Sequence, residues 1–362
     1  SEIKQKRKFI LWFRNLRTLD NRNFFIHILN FISRNLKQEI LVYKHMRKLL
    51  LLLLLTILPK TIVAQKIDNM IAFRTIKSDS YFRFNYENDY FASTDENYTQ
   101  GYNLELVFPV FKKNPINYLF YKPENSAIKY GLALEHIGFT PDAYERTEIQ
   151  YKDRPFASAI MLKSFIIATD TIQKSNFTSS FSLGIIGPGA FGKEMQVGIH
   201  EARGNVIPQG WRNQIKNDAV VNYEIAYEKQ LVRLKNIFSL QTKTTLKVGT
   251  LHTNASVGLN ATIGLINNAF NSSKDTFNFY FYTQPVVSVI GYDATLQGGL
   301  FNRESPYVIG SNDINRFTAQ HNYGFILKTK TLYFEYSRSS ITKEFKYGTA
   351  AKWGGIRIGF TF

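Results

Sequence analysis

The chain has 362 residues, 45 Lys+Arg against 28 Asp+Glu, a formal net charge of +17 and no cysteine. The lack of cysteine excludes disulfides, thiolate metal sites and a cysteine-linked lipid anchor. The basic excess is uneven: residues 1–64 carry 13 Lys+Arg and 3 Asp+Glu, leaving 32 against 25 (net +7) for residues 65–362, too little for a nucleic-acid footprint.

Residues 1–45 are basic and precede a second start-like pattern, so they read as an upstream extension outside the mature protein. Met46 opens that pattern. Arg47 and Lys48 are followed by the leucine run Leu49–Leu55, and Ala64 precedes Gln65. A basic head, a short apolar stretch and a small residue at the cut describe a secretory signal peptide over 46–64. The apolar run is too short for a membrane span, which needs ~20 residues. Residues 65–362 are then one mature domain.

Within that domain, apolar and polar residues alternate in short runs. Val221, Tyr223, Ile225 and Tyr227 alternate with Asn222, Glu224, Ala226 and Glu228; Ile356, Ile358, Phe360 and Phe362 alternate with Arg357, Gly359 and Thr361. Period two marks strands with one apolar face. Such runs fall near 80–91, 100–110, 127–137, 155–168, 176–187, 219–230, 235–249, 255–267, 279–297, 317–329, 331–341 and 353–362. They predict an all-β, antiparallel outer-membrane β-barrel of about twelve strands. The 30 Phe and 21 Tyr suit aromatic girdles. The aromatic C-terminal residue resembles the signal read by the outer-membrane assembly machinery. A soluble β-sandwich or lipocalin-like barrel is the competing fold.

Three segments interrupt the strand pattern. The first joins the first two strands and is rich in oxygen donors: Glu87, Asn88, Asp89, Asp95, Glu96 and Thr99. Such donors suit a hard cation, though the spacing is not that of an EF-hand; a polar turn is the plainer reading. Strict alternation points Asn88 outward and Glu87 and Asp89 inward. The second segment joins the third and fourth strands and carries Arg146, Lys152, Asp153 and Arg154. Its cations can hold phosphate, or Asp153 and Arg154 can simply pair.

The third runs from Gly187 to Asp218 and predicts a short helical insertion near the extracellular rim. Gly187, Gly189 and Gly192 spell G-x-G-x-x-G. A dinucleotide site would need a βαβ unit, which nothing downstream provides. A sharp turn into a helix serves those glycines better. Gln196 and His200 lie four residues apart, on one helix face. His is the usual general base near neutral pH, although a packed histidine is the commoner use of such a residue. No G-x-S-x-G or H-E-x-x-H motif is present, so were the chain a hydrolase, water activated by His would be favoured over a serine nucleophile.

Taken together, Asn88-Asp89, Tyr98-Thr99-x-Gly101, Asp153-Arg154-Pro155-Phe156-Ala157-Ser158, Gly184-Ile185-Ile186-Gly187-Pro188-x-Ala190-x-Gly192, Glu194, Gln196, His200 and Trp211-x-Asn213-Gln214 resemble the lipid A 3′-O-deacylase family of the LpxR type. The resemblance runs from about Ser80 to Phe362. It implies a twelve-stranded barrel in the outer membrane of a Gram-negative bacterium, with its site near the extracellular rim. It implies hydrolysis of the 3′ acyloxyacyl ester of lipid A, with Ca²⁺ and a mechanism like that of secreted phospholipase A2. His200 would be the base, with Gln196, Asn88 and Asp89 completing the catalytic set and Asp89 and Thr99 near the cation. Arg146, Lys152 and Arg154 would meet the headgroup of lipopolysaccharide. Where the family has an acid six residues after the histidine, this chain has Val206. The expected partners are lipid A, the bilayer and the assembly machinery, with no nucleic acid, and the expected state is a monomer. An outer-membrane phospholipase and a non-catalytic barrel acting as channel or structural protein are the alternatives.

Overall fold

The computed structural model describes residues 68–92, 97–267, 269–270 and 277–362. The expected extension and signal peptide lie outside the described residues, as do Asp95 and Glu96. Twelve strands are present: β1 Tyr81–Asn88, β2 Asn97–Val107, β3 Ala127–Thr140, β4 Ala157–Asp170, β5 Ser175–Ile186, β6 Asp218–Leu234, β7 Phe238–Gly249, β8 His252–Leu265, β9 Asn278–Asp293, β10 Phe317–Lys328, β11 Leu332–Ile341 and β12 Ala351–Thr361. Each pairs antiparallel with its sequence neighbours, and β1 pairs with β12 to close a barrel. Closure removes every sheet edge, which is what lets strands cross a bilayer. The antiparallel order also leaves no place for a βαβ dinucleotide unit.

The run expected over 279–297 is cut short. Asp293 accepts from the Thr295 amide at 2.8 Å and caps a short helix, Ala294–Gln297. The first run ends at Asn88, where a 3-10 turn, Asp89–Ala92, begins. Both chain ends of the barrel share one rim with the short turns 171–174, 235–237 and 329–331. The two longest connections, 187–217 and 294–316, lie at the other rim. In outer-membrane barrels the long-loop rim is extracellular.

The lumen holds a plug. Residues 69–76 enter it around the 3-10 turn Ala72–Arg74, with Met70, Ile71, Phe73 and Ile76 buried against inward residues of many strands. The Ala72 amide donates to Glu228 at 2.6 Å, and the Lys328 ammonium donates to the Phe73 and Thr75 carbonyls. At the centre, Glu335 accepts from Arg74 at 2.9 Å and from Arg357 at 3.0 Å, and Arg357 also reaches Glu87 at 2.6 Å. All four side chains are fully buried. This plug leaves no trace in the strand pattern, because 69–76 has no period of two and precedes the first alternating run. The same network corrects one expectation: Glu87, counted among the oxygen donors suited to a cation, is spent on Arg357 of β12 inside the lumen.

Arg357→Ala leaves two buried carboxylates short of their cation. It should cost about 3–5 kcal/mol. The barrel should still fold but lose its heat-modifiable form on gels at a clearly lower temperature than the parent.

Candidate active site

Strand parity decides which side of the wall each rim residue serves. The inward row Glu87–Gly101–Ile137–Ala159–Ile186 alternates with an outward row, Tyr86–Tyr102–His136–Ile160–Ile185. Outward positions of a barrel face lipid and are normally apolar. Here His136 and Ser158 are outward yet buried. The connection between β5 and β6 covers them. His136 Nε2 meets the Ala190 carbonyl at 2.9 Å, and Ser158 Oγ donates to the Gly187 carbonyl at 3.2 Å. The insertion therefore folds over the outer surface of β3 and β4, just below the rim.

The glycines make this possible. Gly187 sits at φ +107°, which L side chains avoid. A Cβ on Gly192 would stand 2.4 Å from Ser158 Cβ and 2.7 Å from the Trp211 ring. Helix α1, Gly192–Arg203, starts on this close approach. One face of α1 is buried, and it carries Gln196 and His200.

Both side chains are oriented by groups of fixed polarity. The Trp211 indole N–H can only donate. It donates to Gln196 Oε1 at 2.6 Å, so the amide NH₂ of Gln196 points the other way. That nitrogen is buried and has no hydrogen-bond partner among the described residues. His200 Nδ1 meets the Val206 carbonyl at 2.6 Å. A carbonyl only accepts, so Nδ1 carries the proton and Nε2 is left as the basic nitrogen. The contact follows from the helix stop: Gly204, at φ +69°, turns the chain, and the Asn205 amide donates to the His200 carbonyl at 2.9 Å. Tyr144 packs edge-on against the imidazole with ring centroids 5.4 Å apart. Val206 thus does through its main chain what an acidic side chain would do for the ring. Neither Tyr144 nor the carbonyl had a readable signal in the sequence.

The opening hairpin meets the same side of the rim. Asn88 points outward as parity requires, and its side chain donates to the Thr99 carbonyl at 2.6 Å. Thr99 escapes strict alternation through an irregularity in the β2–β3 pairing between Asn97 and Gln100, and its hydroxyl shares a proton with Thr140 at 2.6 Å. Asp89 lies just past the end of β1: it begins the 3-10 turn and is 2% exposed there. Arg203, in the last turn of α1, lies over the Tyr90 ring at 5.5 Å. That contact sets the His200 end of α1 beside the Asn88-Asp89 turn.

The basic loop divides. Arg146 is exposed, and its loop is tied to the segment after α1 through the Tyr144 carbonyl, which accepts from the Gln209 amide at 3.1 Å. Lys152 is exposed on the far side of the loop, beside Tyr307 and Tyr347. Arg154 departs from its expected part in headgroup contact. Its guanidinium is 1% exposed, turned to the lumen mouth, ion-paired with Glu344, bonded to Thr295 at 2.8 Å and stacked on Phe139. Nor does Asp153 pair with the Arg154 side chain: its carboxylate caps the Arg154 and Asp142 amides. Burial holds the Glu344 carboxyl above its ordinary range against the pull of Arg154.

Among the described residues, no three His, Asp or Glu side chains form a metal cage. The donors that the Asn88-Asp89 turn and the start of β2 offer are oxygens: the Asp89 carboxylate and the Thr99 hydroxyl, which is bonded to that of Thr140. This set suits a hard cation in kind, with one negative charge to hold it.

The family model described as outer membrane protein LpxR matches residues 49–362. Among solved structures, LpxR from Salmonella typhimurium is similar at a TM-score of 0.64 and 16% identity, over 78% of this chain and 100% of that one. The β domain of the Bordetella autotransporter BrkA (TM-score 0.41, 7% identity) covers 78% of this chain and 98% of its own. The KdgM porin (0.35, 7%) covers 78% and 99%. A search of curated proteins finds no match.

Gly192→Ala should force α1 off Ser158 and Trp211. Lipid-hydrolase activity should fall by at least about tenfold, the cost of misplacing a reacting group by ~1 Å, with the melting transition of the barrel itself little changed. Circular dichroism melts alongside the activity assay measure both.

Proposed function

We propose that this chain, which belongs to the LpxR family of outer-membrane proteins, is an ester hydrolase that releases the 3′-linked acyloxyacyl chain from lipid A. The observation that carries this reading is the pairing on one buried helix face of an imidazole with a free Nε2 and an amide NH₂ without a partner. A buried donor left unsatisfied costs about 1–3 kcal/mol. An oxygen arriving with a ligand would recover that loss.

In this mechanism His200 Nε2 takes a proton from water as the water oxygen attacks the ester carbonyl. The Val206 carbonyl holds Nδ1–H and steadies the imidazolium that forms. The Gln196 NH₂ is placed to donate to the oxygen on which negative charge gathers. His200 then gives its proton to the departing sugar oxygen, and the free acid leaves. The site lies on the outer side of the wall at the extracellular rim, where the esters of an outer-leaflet lipid lie at the same depth. The exposed Arg146 is suited to a headgroup phosphate, and Lys152 stands farther off. A Ca²⁺ ion near Asp89 and Thr99 would supply Lewis-acid polarisation of the carbonyl when bound. The plug in the lumen weighs against a channel.

His200→Ala should lower deacylation by ~10²–10⁴ while leaving a heat-modifiable barrel. The readout is mass spectrometry of lipid A from cells expressing residues 46–362. Unchanged release in that variant would end the assignment. Phospholipid products with intact lipid A would transfer the same machinery to a phospholipase. Chelation of divalent cations should suppress activity, and Asp89→Asn should raise the Ca²⁺ concentration needed to restore it; activity indifferent to both would remove the cation from the scheme.

A further inference from the structure

A second part of the outer wall is covered, at the opposite end of the barrel. The connection from β2 to β3, residues 108–126, is far longer than the turns 171–174, 235–237 and 329–331 on the same rim. It forms two 3-10 turns, Pro109–Lys113 and Pro115–Leu119, each with proline at its start. Asn117 is buried and donates to the Phe111 and Lys112 carbonyls. The segment does not hang free below the barrel. Asn114 donates to Ser164 on β4 at 3.1 Å, Tyr121 packs edge-on against Phe177 on β5, and Tyr223 on β6 donates to the Leu119 carbonyl at 2.8 Å. Ser164, Phe177 and Tyr223 all point outward by parity. The segment is therefore a ledge across the outer face of three strands.

What the ledge shows to its surroundings is specific. Tyr118 is 91% exposed, and Tyr121, Leu119 and Val110 are exposed as well. Beside them stand the exposed Lys112, Lys113 and Lys122, with Glu124 as the acid of the segment. Apolar and tyrosyl groups mixed with lysines belong at a membrane–water interface, where rings sit at headgroup depth and lysines reach phosphate. The ledge adjoins the rim of the chain ends and short turns, which faces the periplasm. The leaflet on that side is built of glycerophospholipid.

We infer that residues 108–126 form a lateral binding surface for anionic glycerophospholipid of the periplasmic leaflet. The tyrosines seat among the headgroups, and the three lysines select phosphatidylglycerol-type lipid over zwitterionic lipid. This surface is separate from the hydrolytic site and does not depend on it.

The test uses the full barrel in nanodiscs of phosphatidylethanolamine with or without phosphatidylglycerol. Native mass spectrometry after release should find phosphatidylglycerol retained in preference, and Lys112→Glu/Lys113→Glu/Lys122→Glu should weaken that retention by on the order of tenfold or more. In parallel, Tyr118→Trp reports position. Its added fluorescence, relative to the parent, should be quenched by phosphatidylglycerol brominated near the headgroup more than by brominated phosphatidylethanolamine. Heat-modifiability verifies that each variant is folded. Equal retention of both lipids, retention unchanged in the triple variant, or a water-exposed emission from the Tyr118→Trp variant that neither brominated lipid quenches would each overturn the inference.

Discussion

A polar group on the lipid-facing side of a membrane wall must be covered by protein or paired with a neighbour, because hydrocarbon offers it nothing. Much of what distinguishes this barrel follows from that constraint. His321 and Thr283 are outward neighbours on β10 and β9 and satisfy each other at 2.6 Å. His136 and Ser158 are outward and lie under the insertion that carries α1. Ser164 is outward and lies under the ledge of residues 108–126. Two of these three outward polar sites thus mark places where the chain leaves the strand pattern and folds back on the wall.

The inside obeys the same accounting with opposite means. Arg74, Glu335, Arg357 and Glu87 form one buried chain of charge, completed by a segment that precedes the first strand. Such a network adds little net stability over apolar packing, but it is intolerant of losing a member. The segment around Ala72–Arg74 ties inward residues of many strands together. Support of this kind matters for the proposed site, whose groups come from a helix, two loops and a hairpin, since small misplacements are costly.

The barrel was legible because each strand repeats one local rule. Alternation placed all twelve strands, with the ends of β1 and β9 drawn too far where Asp89 and Asp293 turn the chain. The site was only half legible. Gln196 and His200 could be set on one face by helix geometry. The parity that pointed Asn88 outward agrees with an insertion that lies on the outer side of the wall. Alternation had no hold on Asp89, because the strand ends at Asn88. Charge alone misjudged Arg154, because an arginine facing Glu344 and one facing solvent look alike in a sequence. The plug was invisible, since a segment with no period gives no hint of which strands it will meet.

The imidazole anchor shows where reading by residue type runs out. A family habit of an acid six residues after the histidine makes Val206 look like a loss. The chemical requirement is an acceptor at Nδ1, and every residue has one in its carbonyl. Gly204 in the left-handed region and the return bond from the Asn205 amide bring the 206 carbonyl to 2.6 Å. The side chain at 206 is exposed and takes no part. In this chain the orientation of the His200 ring is therefore encoded at the helix stop, and position 206 is free to vary so long as the backbone there keeps its path.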